Sequence, residues 1–165
     1  MADAETIETT LYLTLGLENE LLAIEVAKVR EVLDLCAITP VPRTPSFMRG
    51  VINLRGAVIP VIDLRNKFSM SHTESSIDAR IVVMEINMDG NETVAGVLTD
   101  AVHDVIEMDH DKIDASPESG TRWRREFIKG IGKHEENFIL LLDMDRVFSG
   151  TEMSSAIDSV PETTT

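Results

Sequence analysis

Cysteine and aromatic residues are scarce in this chain, which has one cysteine (Cys36), one tryptophan and one tyrosine. A single cysteine excludes a disulfide within the chain, and its apolar setting in VLDLCAI predicts a buried, unreactive thiol. No stretch approaches the roughly 18 apolar residues that a membrane span needs. The N-terminal MADAETIETT has neither the basic nor the apolar region of a signal peptide. We therefore expect a cytoplasmic protein that does not bind membranes directly.

Basic residues are also few, since 15 Lys and Arg face 29 Asp and Glu and give a net charge of -14. This charge repels nucleic-acid phosphates and anionic membrane surfaces, so we expect protein partners and no nucleic acid. The one basic cluster, Arg122-Trp123-Arg124-Arg125, is interpreted as a solvated loop. A small β-barrel that binds nucleic acid or oligosaccharide is a remote alternative, because it would need a basic, aromatic-lined face.

Motifs for catalysis, metals and cofactors are missing as well. The four histidines (His72, His103, His110 and His134) are scattered and show no metal-ligand spacing. The chain has no GxSxG nucleophile elbow and no phosphate-binding Gly-rich loop. We therefore predict no enzymatic activity, no catalytic residue, no cofactor and no metal site, with a cryptic hydrolase as the remotest alternative.

What the sequence does contain is a series of short β-rich runs separated by turn signals. The runs are 10–17, 20–26, 49–54, 57–64, 79–86, 93–99 and 137–144. Many short strands at this spacing favour an all-β barrel architecture. The stretch AKVREVLDL is ambiguous between helix and strand. We predict one domain over residues 9–150, flanked by a mobile N-terminus (1–8) and a mobile Ser/Thr/acid-rich tail (151–165).

An internal repeat is the most informative feature, because residues 47–68 align without a gap with residues 127–148. Five positions are identical, each 80 residues apart: Phe47, Gly50, Ile59, Asp63 and Phe68 match Phe127, Gly130, Ile139, Asp143 and Phe148. Upstream, VREVL (29–33) matches VHDVI (102–106), and LAI (22–24) faces AGV (95–97). The repeat predicts two similar small barrels packed together.

The two repeats differ most at a hairpin tip, which reads Asn53-Leu54-Arg55-Gly56 in the first repeat and Lys133-His134-Glu135-Glu136, a charged and solvated stretch, in the second. Arg55 carries a planar set of donors that suits carboxylates or carbonyls of a partner, and Glu31 is a candidate for the same face. An internal ion pair that holds the turn is the alternative. Nearby, Pro60 predicts an edge strand or a bulge, and Gly50 predicts close approach by a partner.

The stretch TPSFMRGVINLRGAVIPVIDLRNKF (44–68) resembles the central signature of the bacterial chemotaxis coupling protein family, CheW. VAKVREVL (26–33), TPVPRTP (39–45), ARIVVMEI, VAGVLTDAVHDVIEM and FIKGIGKHEENFILLLDMDRVF extend the similarity over roughly residues 9–150. The resemblance implies two pseudo-symmetric five-stranded SH3-like β-barrels that share a hydrophobic core and carry short helical segments. It also implies a non-catalytic adaptor and scaffold for signal transduction in chemoreceptor arrays.

The partners implied by the resemblance are the cytoplasmic helical hairpin tips of methyl-accepting chemoreceptors and the regulatory domain of a CheA-type histidine kinase. The family's receptor-contacting positions fall on Val29, Glu31, Gly50 and Arg55, and Ile52 and Leu54 are further groove candidates. We expect the kinase contact on exposed apolar surface at the barrel ends, with its residues unassigned. Use of the same adaptor in a chemosensory pathway that controls pili or gene expression is an alternative.

Overall fold

A computed structural model describes residues 8–18, 20–68, 77–88, 90–114 and 127–158. Within these ranges the chain is mainly β, which confirms the predicted fold class. The strands are β1 (Thr9–Leu17), β2 (Glu20–Glu25), β3 (Val29–Asp34), β4 (Met48–Leu54), β5 (Ala57–Asp63), β6 (Arg80–Met88), β7 (Asn91–Thr99), β8 (Ala101–Asp109), β9 (Ile128–His134) and β10 (Asn137–Leu142). The α-helices are α1 (Leu64–Lys67), α2 (Met144–Val147) and α3 (Thr151–Asp158).

The strands form two five-stranded sheets with the same internal order. Sheet A runs β8-β1-β2-β10-β9, and sheet B runs β3-β6-β7-β5-β4. Neighbours pair antiparallel except for β2 with β10 and β5 with β7, which are parallel. Each sheet combines strands from both halves of the chain, so the repeats are interleaved and do not correspond to one sheet each.

The repeated segments adopt the same local structure in both halves. The backbone N–H of Asp63 donates to Phe47 at 2.7 Å, and that of Asp143 donates to Phe127 at 2.9 Å. Each of these aspartates then caps the N-terminus of a short helix, because its carboxylate accepts backbone N–H groups of the first turn. The repeat therefore reflects a shared hairpin, cap and helix.

Alternating side chains of the strands divide the interior into three hydrophobic clusters. A large cluster lies between the sheets and takes residues from both, such as Leu15 of β1 and Met84 of β6. A smaller cluster around Tyr12 belongs to sheet A alone, and one around Val61 belongs to sheet B alone. Each sheet thus encloses its own core, and the two share the cluster between them.

Several predictions about local structure need correction. Cys36 is exposed, because it follows the end of β3 in the connection to β4. Pro60 lies on β5, an interior strand of sheet B, one residue before its parallel pairing with β7 begins at Val61. The chain does not become a tail at residue 151, since α3 buries Met153 and Ala156 in the shared core.

Other sequence features fall outside the described residues, namely residues 1–7 of the N-terminus, the Arg122–Arg125 cluster, His72 and the last residues from 159 onward. The ambiguous AKVREVLDL is resolved, since Val26–Lys28 forms a 3₁₀ turn and β3 follows it. Among the described helices, none combines the length and apolar character that crossing a membrane requires.

Candidate protein-binding site

The tip of the β4–β5 hairpin places Arg55 at the surface of sheet B. Leu54 pairs with Ala57, so only Arg55 and Gly56 form the loop. Their φ angles of 52° and 89° are those of a type I′ turn, whose twist matches that of the flanking strands. The side-chain carbonyl of Asn53 accepts the Gly56 N–H at 2.9 Å. The turn therefore holds the arginine in a defined position.

Arg55 forms a two-point ion pair with Glu31 of β3. Its Nη2 lies 2.8 Å from Oε2 and 2.9 Å from Oε1 of Glu31, and its Nη1 lies 3.0 Å from Oε2. The hydrogen bonds and the charge of Glu31 raise the pKa of Arg55 above its ordinary value. The side chain of Arg55 stays 71% exposed and that of Glu31 26% exposed. Arg55 and Glu31 therefore lie on one face, and the internal ion pair that was the alternative interpretation of Arg55 is present. The guanidinium nevertheless remains accessible to solvent.

The ion pair joins the two edges of sheet B, because β3 is one edge strand and β4 is the other. A bulge in β3 aims Glu31 toward this junction. Val29 pairs with Met84 of β6, and Glu31 pairs with the adjacent Val83. Two steps along β3 therefore match one step along β6, and Arg30 is the extra residue of the bulge. The bulge turns Val29 toward the shared core and Glu31 toward the end of sheet B's own core.

A groove of about 390 Å³ opens beside the ion pair. Its lining is Arg30, Glu31, Leu54, Arg55, Ala57, Ile59 and Val94. The apolar side of the groove continues into the core of sheet B, which contains Ile59 and is packed against by Leu54 and Val94. Charged groups of β3 and of the hairpin tip form its rim. The site thus combines an apolar floor with ionic groups at the edge.

The other predicted contact residues do not all reach this surface. Leu54 lines the groove, and Val29 is half-buried against the shared core. Ile52 is only 4% exposed inside sheet B and is not among the residues that line this groove. Gly50 is buried at φ 140°, and an added Cβ there would overlap the carbonyl of Thr39. The close approach predicted at Gly50 is therefore made by the chain itself.

The structure adds exposed apolar side chains that sequence reasoning did not select. Val32 on β3 and Val105 on β8 are both exposed and occupy matching positions of the repeat. Val105 pairs with Leu13 across the β1–β8 ladder, and the exposed Leu11 lies diagonally to it. Phe138 on β10 is 70% exposed. In the sequence, the alignment of VREVL with VHDVI was the feature that could have identified these two valines as a matching pair.

Sheet A does not repeat the ion pair. In the aligned repeats, Asp104 stands where sheet B has Glu31, and Glu135 stands where it has Arg55. Two carboxylates do not attract, so the ionic element of the site is specific to sheet B. The described residues also contain no group of three or more His, Cys, Asp or Glu placed to hold a metal ion.

Comparisons with known proteins agree with this architecture. The family model described as CheW-like domain matches residues 11–152. The chain is 35% identical to a chemotaxis protein CheW of Klebsiella aerogenes, over 91% of this chain and 86% of that protein. It is 30% identical to the chemotaxis protein CheW of Bacillus subtilis, over 82% and 84%. The crystal structure of the scaffolding protein TtCheW from Thermoanaerobacter tengcongensis superposes with a TM-score of 0.76 at 35% identity, covering 86% of this chain and 93% of that one.

Proposed function

The chain belongs to the CheW-like domain family and is a chemotaxis coupling adaptor, and on that premise we propose that it bridges chemoreceptors to a histidine kinase. The receptor element is the cytoplasmic helical hairpin tip, and the kinase element is the CheA-type regulatory domain. The signal passes through contacts and not through catalysis, as the naming of a similar chain as a scaffolding protein supports. The protein then acts in the cytoplasm and is recruited to membrane-associated receptor arrays through its partners.

The ion pair of Arg55 with Glu31 beside an apolar groove is the observation that carries the receptor-binding proposal. A helical hairpin presents apolar and polar side chains at regular spacing, and a groove with a charged rim suits such a ligand. The exposed guanidinium retains donors that face solvent while it holds Glu31. Arg55 therefore orients the receptor tip, and Leu54 contributes apolar contact area.

The kinase contact falls on exposed apolar surface away from this site. Phe138 supports that assignment, since it is a largely exposed aromatic residue on sheet A, and buried aromatic side chains supply much of the binding energy of protein interfaces. With the receptor contact on sheet B and the kinase contact on sheet A, both partners can bind at once, as a bridging protein requires.

Isothermal titration calorimetry tests the bridge directly. Wild type and Arg55→Glu are titrated with a soluble receptor-tip fragment from the same genome and, separately, with the kinase regulatory domain. We expect wild type to bind both, and Arg55→Glu to lose at least tenfold in receptor affinity with kinase affinity unchanged. A folded wild-type protein that binds neither partner contradicts the proposed function.

A further inference from the structure

The groove beside the Arg55–Glu31 ion pair is too small for a helix but large enough for a side chain. Its volume is about 390 Å³, near the lower limit of ligand pockets. A helix with side chains measures about 10–12 Å across and does not fit such a space. A single phenylalanine, leucine or methionine side chain does fit, and the groove floor offers it the apolar atoms of Leu54, Ile59 and Val94.

The rim of the groove carries more positive than negative charge. Two guanidinium groups, those of Arg30 and Arg55, flank the single carboxylate of Glu31. Arg55 is engaged with that carboxylate, whereas Arg30 is exposed and has no ion-pair partner among the described residues. In a chain of net charge -14, this local excess of positive charge favours an acidic group on whatever binds there.

We propose that the groove is a two-point socket that takes one large apolar side chain of the partner, while Arg30 binds a carboxylate next to it on the same partner segment. The inference rests on the proposed function and adds to it the chemistry that the receptor tip must present. Arg55 and Glu31 form the wall between the two points and keep the mouth of the groove open.

The second repeat supports this assignment by contrast. His134 and Asn137 replace Leu54 and Ala57 at the aligned positions, and His103 replaces Arg30. Polar groups on the floor disfavour an apolar guest, because burial leaves them without water. The socket is therefore a property of sheet B alone, in agreement with the site described above.

A substitution that fills the groove tests whether an apolar side chain of the partner binds there. Ala57 is exposed at the groove edge, and Ala57→Phe occupies the space while leaving Arg55 and Glu31 in place. Asn137→Phe introduces the same aromatic side chain at the aligned exposed position of sheet A and is the matched control. We expect Ala57→Phe to weaken binding of the receptor-tip fragment at least tenfold at every salt concentration, and the control to bind within twofold of wild type.

Charge reversal at Arg30 tests whether this residue binds a carboxylate of the partner. Arg30→Glu should weaken binding roughly 3- to 10-fold at low salt and less at high salt, because an exposed charge pair is screened. Lys133→Glu, at an exposed position of β9, makes the same charge change in sheet A and should leave affinity unchanged. Far-UV circular dichroism and thermal denaturation show that each variant is folded.

Methyl NMR of the wild-type protein avoids any dependence on variants. With the receptor fragment bound, the methyl groups of Leu54, Ile59 and Val94 should show intermolecular contacts to an apolar side chain. If wild type binds and Arg55→Glu does not, but the groove variants bind normally and these methyl signals stay unchanged, the socket is refuted while the proposed function stands. If wild type does not bind at all, both are refuted.

Discussion

Substitution of Gly50 by alanine should damage the fold and not a contact surface. The residue is buried at φ 140°, a conformation nearly reserved for glycine. An added Cβ would overlap the carbonyl of Thr39 and come within 2.9 Å of Cα of Pro40. Those are backbone atoms, so the segment ahead of β4 must move away from the sheet.

The cost has two parts that the structure allows us to weigh. The backbone conformation costs an alanine about 1–3 kcal/mol. Displacing Thr39 breaks its two backbone hydrogen bonds with Val51, of 2.9 and 2.8 Å, at about 1 kcal/mol each. The free energy of unfolding of Gly50→Ala should therefore fall by about 3–5 kcal/mol, which corresponds to a melting temperature roughly 6–20 °C lower.

Urea denaturation and a thermal melt measure this loss, and Gly90→Ala is the matched control. Gly90 also has a positive φ, of 86°, but an added Cβ there would meet nothing within 4 Å. That control should lose only about 1 kcal/mol. If Gly50→Ala proves as stable as wild type and yet fails to bind the receptor fragment, Gly50 is a contact residue and the structural reasoning is wrong.

Three further outcomes follow from particular side chains. Burial raises the pKa of the Asp145 carboxyl, but the hydrogen bond from Asn87 N–H and the ion pair with Lys28 outweigh burial and hold this pKa below its ordinary value of 3.8. Asp145→Asn should therefore have a lower free energy of unfolding than wild type at pH 7. Urea titrations should show this difference in the free energy of unfolding shrinking as pH falls below 3.8. In urea titrations, the free energy of unfolding should fall by about 2–4 kcal/mol for Asp63→Ala and by about 1 kcal/mol for Asp143→Ala. Both variants lose a helix cap, but only the Asp63 carboxylate is fully buried against an arginine. Equal losses would contradict this reasoning. Cys36 should react with a thiol reagent in the native protein at the rate of an exposed thiol; a reaction that waits for unfolding would contradict its exposure.

The strands that could be predicted are those with dense β-branched and apolar runs, such as β5 and β6. β8 was not among the predicted runs, since it carries three consecutive exposed residues, His103–Val105, and buries only Ile106 and Met108. Its existence was indicated only by the match of VHDVI to VREVL. The interleaving of the repeats depends on pairing between distant strands, and no local pattern encodes it.

At the site, the sequence could predict that Arg55 and Glu31 lie on one face, but it could not predict the positions of the residues around them. Val29, Glu31 and Leu33 are all partly buried, as simple alternation along β3 predicts, but alternation alone does not locate the bulge at Arg30. Ile52 is buried because β4 turns it toward the core of sheet B. Gly50 fits equally with close approach by a partner or by the chain itself, and only the position of Thr39 decides between them.

The interleaved strands set an order for folding during synthesis. Sheet B is complete once β7 has emerged, whereas β1 and β2 wait for β8, β9 and β10. At about 5–20 residues per second, the 76 residues from Glu25 to Ala101 take roughly 4–15 s to be made, and the leucine-rich first hairpin stays uncovered meanwhile. A circular permutant that begins near β3 and carries β1–β2 after β10 would make each barrel from one continuous stretch of chain. Such a molecule would have its two barrels translated one after the other, with no hairpin left waiting for its sheet.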